Sequence, residues 1–137
     1  MVKSTTLIRV RYAETDKMQF VYNGKYFEYF EVGRAELLRD YGLSYYEVEN
    51  RGYQLPLIEA GIKYKSPAFY DDILEVEAKL LELNSPKLHI EYAIKRQSDG
   101  QLIAEGFTDH VFINIETKKA VRPPKFYLDT LAIHFKE

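Results

Sequence analysis

The 137-residue chain has no cysteine and no tryptophan, and only three of its residues are histidine. Without cysteine it can form no disulfide, no thiolate nucleophile, no thiolate zinc site and no iron–sulfur cluster. Charge of either sign is not in excess: 19 Lys plus Arg face 21 Asp plus Glu, a formal net charge of −2. That balance argues against the broad phosphate neutralisation of duplex-binding proteins, so no nucleic-acid partner is expected. Long apolar runs are missing as well. Charges interrupt Met1 to Arg11 before a secretory signal could form. No stretch approaches the roughly 18 apolar residues of a membrane span. A cytoplasmic protein with no membrane span is therefore expected. What the chain does have is aromatic side chains, 12 Tyr and 8 Phe.

From residue 1 to 137 there is no internal repeat and no linker rich in Gly, Ser or Pro, so a single domain is expected. Loose alternation over Leu7 to Tyr12 predicts a first strand. Tyr26, Phe27, Phe30, Leu37, Leu38 and Tyr41 fall on one apolar stripe. They predict a long helix capped by Asn23 and closed by Gly42. Ser44 to Glu47 has the form of a capping box for a short second helix that ends at Gly52. Beyond Gly52 the apolar period shortens from that of a helix to that of a strand. Leu55 to Lys65, Leu74 to Leu80, Leu88 to Lys95 and Leu102 to Ile115 read as strands. Asn84-Ser85-Pro86 and Asp99-Gly100 supply turn chemistry. Pro123-Pro124 opens a terminal helix that runs to Phe135. The order is strand, long helix, then four strands, an α+β arrangement of mostly antiparallel hairpins. One helix covers one face of such a sheet. The other face is expected to carry Tyr, Phe and Ile and so to seek a partner in a dimer or larger assembly.

Chemistry concentrates in Arg11 to Tyr26, the segment joining the first strand to the long helix. The first N–H groups of a helix lack intrahelical acceptors and together carry about half a positive charge, so they can hold an oxyanion. Asp16 precedes them by less than two turns' worth of chain. A carboxylate beside an oxyanion site is the minimum for hydrolysing an ester or thioester without serine, cysteine or metal. It either deprotonates a water or attacks the carbonyl itself. Spacing alone equally allows Asp16 to form a turn, Asn23 to cap and Tyr12 to pack. His89, His110 and His134 show no metal-ligand spacing, so no metal site is expected. His110, beside Asp109, is the histidine of most interest.

Arg11-Tyr12-Ala13-Glu14-Thr15-Asp16, Val21-Tyr22, Tyr26-Phe27-Glu28-Tyr29-Phe30-Glu31 and Arg34 resemble the N-terminal signature of hotdog-fold acyl-CoA thioesterases. The resemblance is nearest to the 4-hydroxybenzoyl-CoA thioesterase type, which includes the Tol-Pal-associated thioesterases. Tyr64-Lys65-Ser66-Pro67-Ala68, with Asp71-Asp72-Ile73-Leu74-Glu75-Val76, resembles a second block of that family. The resemblance implies a long helix wrapped by an antiparallel sheet. It further implies a homodimer with a continuous sheet, often doubled into a homotetramer, and sites completed by both chains. It places the catalytic carboxylate at Asp16 and the oxyanion donor at the N–H of Asn23 or Gly24, with Tyr12 on the same segment. Gln19, Gly24, Tyr26 and Lys65 are the expected substrate contacts. No cofactor is implied, because coenzyme A arrives as part of the acyl-CoA; acyl carrier protein is the alternative carrier.

Two positions depart from the family pattern. Gln19 stands where members commonly have glycine, and Asn23 where many Tol-Pal-type relatives have histidine. Asparagine can hydrogen-bond but cannot titrate. These departures keep a second reading open, a non-catalytic acyl-thioester binding or assembly protein. A hotdog dehydratase ranks last, for want of a histidine on or before the long helix. Lys63 and Lys65 share one side of a strand and Lys87 adjoins a turn, positions from which a cation could meet phosphate.

Overall fold

The computed structural model describes residues 1–135; residues 136 and 137 of the expected domain lie outside the described residues. Strand β1 spans Val2–Arg9 rather than starting at Leu7. Ser4 and Thr6 take inward positions between Val2 and Ile8, so polar side chains hid the alternation. The strand stops where the Val10 N–H turns aside to the Asp72 carbonyl (2.9 Å). Tyr12–Glu14 form a single 3-10 turn. Helix α1 spans Lys25–Asp40 and helix α2 Tyr45–Asn50. The strands that follow are β2 Tyr53–Gln54, β3 Leu57–Tyr64, β4 Ile73–Leu80, β5 Leu88–Arg96 and β6 Leu102–His110. Short strands β7 Phe112–Asn114 and β8 Ala120–Val121 lead to helix α3, Lys125–Ala132.

The caps behave largely as their chemistry requires. Ser44 Oγ accepts the Glu47 N–H at 3.3 Å, and Gly42 takes the left-handed φ of 76° that closes α1. At the start of α1 the cap falls on Gly24, one residue later than expected, and the Asn23 side chain makes no capping bond.

The large sheet runs β1-β4-β5-β6-β3, antiparallel throughout, and a small sheet runs β2-β7-β8. Two expectations fail here. Strand β3 does not form a hairpin with β4; it lies at the far edge against β6. Ser66-Pro67 ends it, and the chain reaches β4 through a loop folded on itself rather than through a tight turn. The expected strand Leu102 to Ile115 breaks at Val111, where its last residues leave the large sheet and join β2 and β8.

Helix α1 lies across β1, β4 and β5, burying Tyr26, Tyr29, Phe30, Gly33, Leu37 and Leu38. Opposite them, Leu74, Val76, Ala78 and Leu80 of β4 and Leu88, Ile90, Tyr92 and Ile94 of β5 are all buried. Each large apolar side chain so placed contributes about 1.5–3 kcal/mol. Phe30 stacks on Tyr92 with ring centroids 4.3 Å apart. A Cβ at Gly33 would come within 2.8 Å of Val76 Cγ1, so the close approach of helix to sheet requires glycine there. Phe27, expected in the stripe, is exposed, and Tyr29 takes its place. A long helix wrapped on one side by an antiparallel sheet is the hotdog fold, α+β, as the resemblance implied.

The far face of the sheet corrects another expectation. It presents Glu75, Glu77 and Lys79 on β4, His89, Glu91 and Lys95 on β5, and Glu105 with Phe107 on β6. It is a charged face, as solvent demands of alternate positions. Leu7, beside Glu75, is an exposed apolar residue on that face; others group at Leu57, Ile58 and Tyr64 on the edge strand β3 and around Tyr12, Met18, Tyr22, Phe69 and Tyr70.

Candidate active site

Asp16 sits at the mouth of a tight reversal between the 3-10 turn and α1. Thr15 bridges Val21, the Asp16 N–H donates to Phe20 O (3.0 Å), and the Tyr22 N–H donates to Glu14 O (2.9 Å). The reversal itself is closed twice over by Asp16. Its Oδ1 accepts the Met18 N–H at 2.8 Å, and its carbonyl accepts the Gln19 N–H at 3.0 Å. Gln19 carries φ of 68°, the left-handed residue that a three-residue hairpin loop needs after its turn. The glycine-type geometry is therefore kept at Gln19, and its side chain, an expected substrate contact, is exposed and does not line the recess beside Asn23. Asp16 itself is half-buried. Its Oδ2 makes no hydrogen bond among the described residues and faces no cation there, which leaves that oxygen for a substrate or a water.

The returning strand feeds directly into α1. No acceptor among the described residues takes the backbone N–H of Asn23 or Gly24, and both residues are exposed. Two orphan donors at the start of a 16-residue helix are what an oxyanion needs. Asn23 O accepts the Tyr64 hydroxyl at 3.1 Å, tying the helix start to β3. A recess of about 300 Å³ opens here, lined by Phe20, Asn23, Tyr26, Tyr64, Lys65 and Pro67 among others. Tyr26 is buried in its wall, and that burial pushes its phenol up to about 12. Lys65 stands at the end of β3, exposed and loosely paired with Glu105 at 3.7 Å. The ring of Tyr22 lies against Gly24, 3.1 Å from where a Cβ would be.

Of the expected residues, Asn23, Tyr26 and Lys65 line one recess, Gly24 adjoins it, and Asp16 with Gln19 forms the neighbouring reversal. Tyr12 is not drawn in. It is among the most exposed aromatics, 77% accessible, and packs edge-on against Tyr70.

Glu14, two residues before Asp16, is a buried carboxylate that the sequence reading passed over. Its Oε1 accepts the Arg11 N–H (2.8 Å) and the Tyr29 hydroxyl (3.0 Å). Burial, then the Glu14 charge, holds the Tyr29 phenol well above its ordinary range. The pair fastens the 3-10 turn to α1. The spacing Arg11-x-x-Glu14 was its only signal in the sequence.

The histidines need a correction. His110 and Asp109 are neighbours on β6 and therefore point to opposite faces. His110 is buried, bonded to Leu55 O and Thr108, and burial followed by the Arg34 charge lowers it to about 4. Asp109 meets His89 across the strands at 2.5 Å, and His89 also reaches Glu91 at 3.2 Å. Burial works against the His89 cation, but its bonds to Asp109 and Glu91 outweigh this and raise its pKa. A recess of about 500 Å³ lies on this far side between His89, Lys63 and Phe107. No helix start opens into it. No group of three or more His, Asp and Glu among the described residues is placed to hold a metal.

Residues 10–131 match the family model of the thioesterase-like superfamily. The long-chain acyl-CoA thioesterase FadM of Escherichia coli is 28% identical over 116 residues, covering 85% of this chain and 87% of that protein. A crystal structure of a hypothetical protein from Thermus thermophilus superposes with a TM-score of 0.87 at 38% identity, over 95% of this chain and 98% of that one. A 1,4-dihydroxy-2-naphthoyl-CoA (DHNA-CoA) thioesterase structure from Staphylococcus aureus gives 0.86 at 29%, covering 100% and 97%. The chain belongs to the thioesterase-like superfamily.

Proposed function

We propose that the protein hydrolyses the thioester of an acyl-CoA, with Asp16 as its catalytic carboxylate and the Asn23 and Gly24 N–H groups as oxyanion donors. The observation that carries this reading is an Asp16 Oδ2 and the Asn23 and Gly24 N–H groups at the start of α1, all without a hydrogen-bond partner among the described residues, on one short segment of chain. The thioester carbonyl oxygen accepts from the helix start. Asp16 either takes a proton from the water that attacks the carbonyl carbon or attacks it directly, forming an anhydride that water then opens. In both routes the carbon–sulfur bond breaks, the thiolate of coenzyme A leaves and takes up a proton, and the acid is released. Each oxyanion donor is worth roughly 10²–10³ in rate.

No cofactor is required. Tyr26 and Tyr64 give the recess an aromatic wall for the acyl group, and Lys65 at its edge is placed to meet nucleotide phosphates. Delivery on acyl carrier protein would use the same recess. The finer assignment to the 4-hydroxybenzoyl-CoA type, with its Tol-Pal-associated members, rests on the signature from Arg11 to Arg34 and the second block from Tyr64 to Val76. The preserved reversal at Gln19 weakens the case for a silent acyl binder, and a cytoplasmic location fits this substrate.

The protein acts as a dimer in this reading. Strand β3 offers an unpaired edge with Leu57 and Ile58 about half exposed, which suits antiparallel pairing with the same strand of a second copy. The charged far face makes the homotetramer the weaker half of that expectation. Thiol release from a panel of acyl-CoAs tests the chemistry: Asp16→Asn should lose at least about 10²-fold in kcat, and a fully active variant would overturn the role. Light scattering on Ile58→Asp should give a monomer where the parent gives a dimer.

A further inference from the structure

We propose that Arg96 is a positioning residue for hydrolysis, holding the Asp16 reversal in place from across the sheet. The proposal rests on the reading of Asp16 given above. Arg96 ends β5, and its side chain is only 14% exposed. All three of its nitrogens are engaged. Nε donates to Asp72 Oδ2 (3.0 Å), Nη1 to Asp99 Oδ2 (2.9 Å) and Nη2 to the carbonyl of Pro67 (2.7 Å). The guanidinium also lies over the Phe69 ring, 5.8 Å from its centre. The bonds to Asp72 and Asp99 together outweigh burial and raise the guanidinium's pKa, so the cation is never in question.

What Arg96 grips is the loop from Pro67 to Asp72, at both ends. Asp72 Oδ2 simultaneously accepts the Phe69 N–H at 2.9 Å, so one carboxylate oxygen locks the loop's turn and ties it to Arg96. The loop in turn holds the returning strand of the reversal from the sheet side. Phe69 bridges Phe20, and Ala68 O accepts the Val21 N–H at 2.9 Å. Phe20 O is the acceptor of the Asp16 N–H. The chain of bonds therefore runs from Arg96 through Pro67 and Asp72 to Phe20 and Val21, and so to Asp16 on one side and Asn23 on the other.

Loss of the fork would release the loop's Pro67 end and the Asp72 side chain without touching substrate, while the Asp71–Asp72 end stays tied to Val10 by backbone bonds of 3.0 and 2.9 Å. A three-way hydrogen-bonded guanidinium is a poor way to gain stability over an apolar packing of the same volume, but it fixes direction. Catalysis is sensitive to that direction, since a displacement of about 1 Å can cost about 10²-fold in rate.

The test compares Arg96→Met, Arg96→Lys, Asp72→Asn and Asp99→Asn with the parent, using benzoyl-CoA and decanoyl-CoA in a thiol-release assay. Amide exchange is followed in parallel, and Asp16→Asn is run beside them. Arg96→Met should lower kcat by about 10²-fold with KM within about threefold. Exchange at Asp16 and Val21 should quicken about tenfold, with the β1–β4 pairing unchanged. Lysine should restore part of the rate, because it keeps the charge on Asp72 but not the fork. Asp99→Asn, which disturbs only the hairpin arm, should stay near the parent.

A parent-like kcat and unchanged exchange at Val21 in Arg96→Met would overturn the proposal. So would a loss confined to KM, or exchange that rises equally in every strand. If Arg96→Met does not fold, Asp72→Asn decides by the same two readouts. A fully active Asp16→Asn would instead overturn the site reading, leaving the exchange data to judge the relay on its own.

Discussion

Gln19→Gly should make the protein more stable without slowing it. Gln19 holds φ of 68°, a conformation that glycine adopts freely and other residues do not. Its side chain is exposed and bonds to none of the described residues, so little is lost by removing it. A non-glycine residue in this region costs about 1–2 kcal/mol. Glycine offsets part of that gain, about 0.5–1 kcal/mol, through the greater freedom of the unfolded chain. The net expectation is a stabilisation of about 0.5–1 kcal/mol, or a rise of about 2–4 °C in Tm for a chain of this length. Gln19→Val supplies the opposite arm, since a branched Cβ is worst tolerated at positive φ. Urea unfolding should be run at one protomer concentration, because assembly would otherwise shift the midpoint. The midpoint should move up for glycine and down for valine, with the slope unchanged. The turn is closed by backbone, Gln19 N–H to Asp16 O at 3.0 Å, so kcat should hold in Gln19→Gly. A destabilised glycine variant, or a valine variant equal to the parent, would refute the argument that backbone strain sits at this residue.

Glu14→Ala leaves the Arg11 N–H and the Tyr29 hydroxyl without their acceptor and should lose about 2–3 kcal/mol in chemical denaturation. Tyr29→Phe, which leaves Glu14 its other donors, should lose about 1 kcal/mol. Stability should fall as pH drops from about 6.5 to 4, because unfolded His110 takes up a proton that the folded protein refuses until about 4. The unfolded state binds more protons in that window, and the loss reaches about 3 kcal/mol. His110→Asn should flatten the profile. His89 works with the opposite sign: its pKa is raised by Asp109 and Glu91, so its contribution is present at low pH and fades as pH rises through the folded value. His89→Gln should remove that fade in the same titration. Gly106→Ala would set a Cβ 2.2 Å from Gly61 O and 2.9 Å from the Phe30 ring. It should lose at least about 1–3 kcal/mol, read as a lower denaturation midpoint.

Local rules carried the elements that local rules govern. The alternation in β4 and β5 named every inward residue, because a strand with one buried face leaves no choice of register. Asp99-Gly100 and Gly42 marked their turns for the same reason: each is a backbone requirement met by its own residue. The place of β3 beside β6 could not be read in this way. Its pairing joins residues such as Gly61 and Phe107, and no feature of either segment prefers that partner to β4. The break at Val111 was hidden because apolar residues continue through it, now serving a second sheet. Strand periodicity would have separated His110 from Asp109, since adjacent strand residues cannot share a face.

The catalytic segment was legible for a different reason. Asp16, the reversal and the start of α1 are contiguous in sequence, so a short signature contains most of the site. What that signature omits is whatever holds the segment from outside. Glu14 lies within the signature yet acts through Tyr29, one turn into α1. Arg96, Asp72 and Pro67 act through a loop that meets the reversal only in three dimensions. The groups that touch substrate need a fixed order along the chain because they share one turn, and their supports need only a common place. Thus a signature can identify the chemistry of such a site while remaining silent on its rigidity, and variants at Arg96 or Glu14 would separate those two properties.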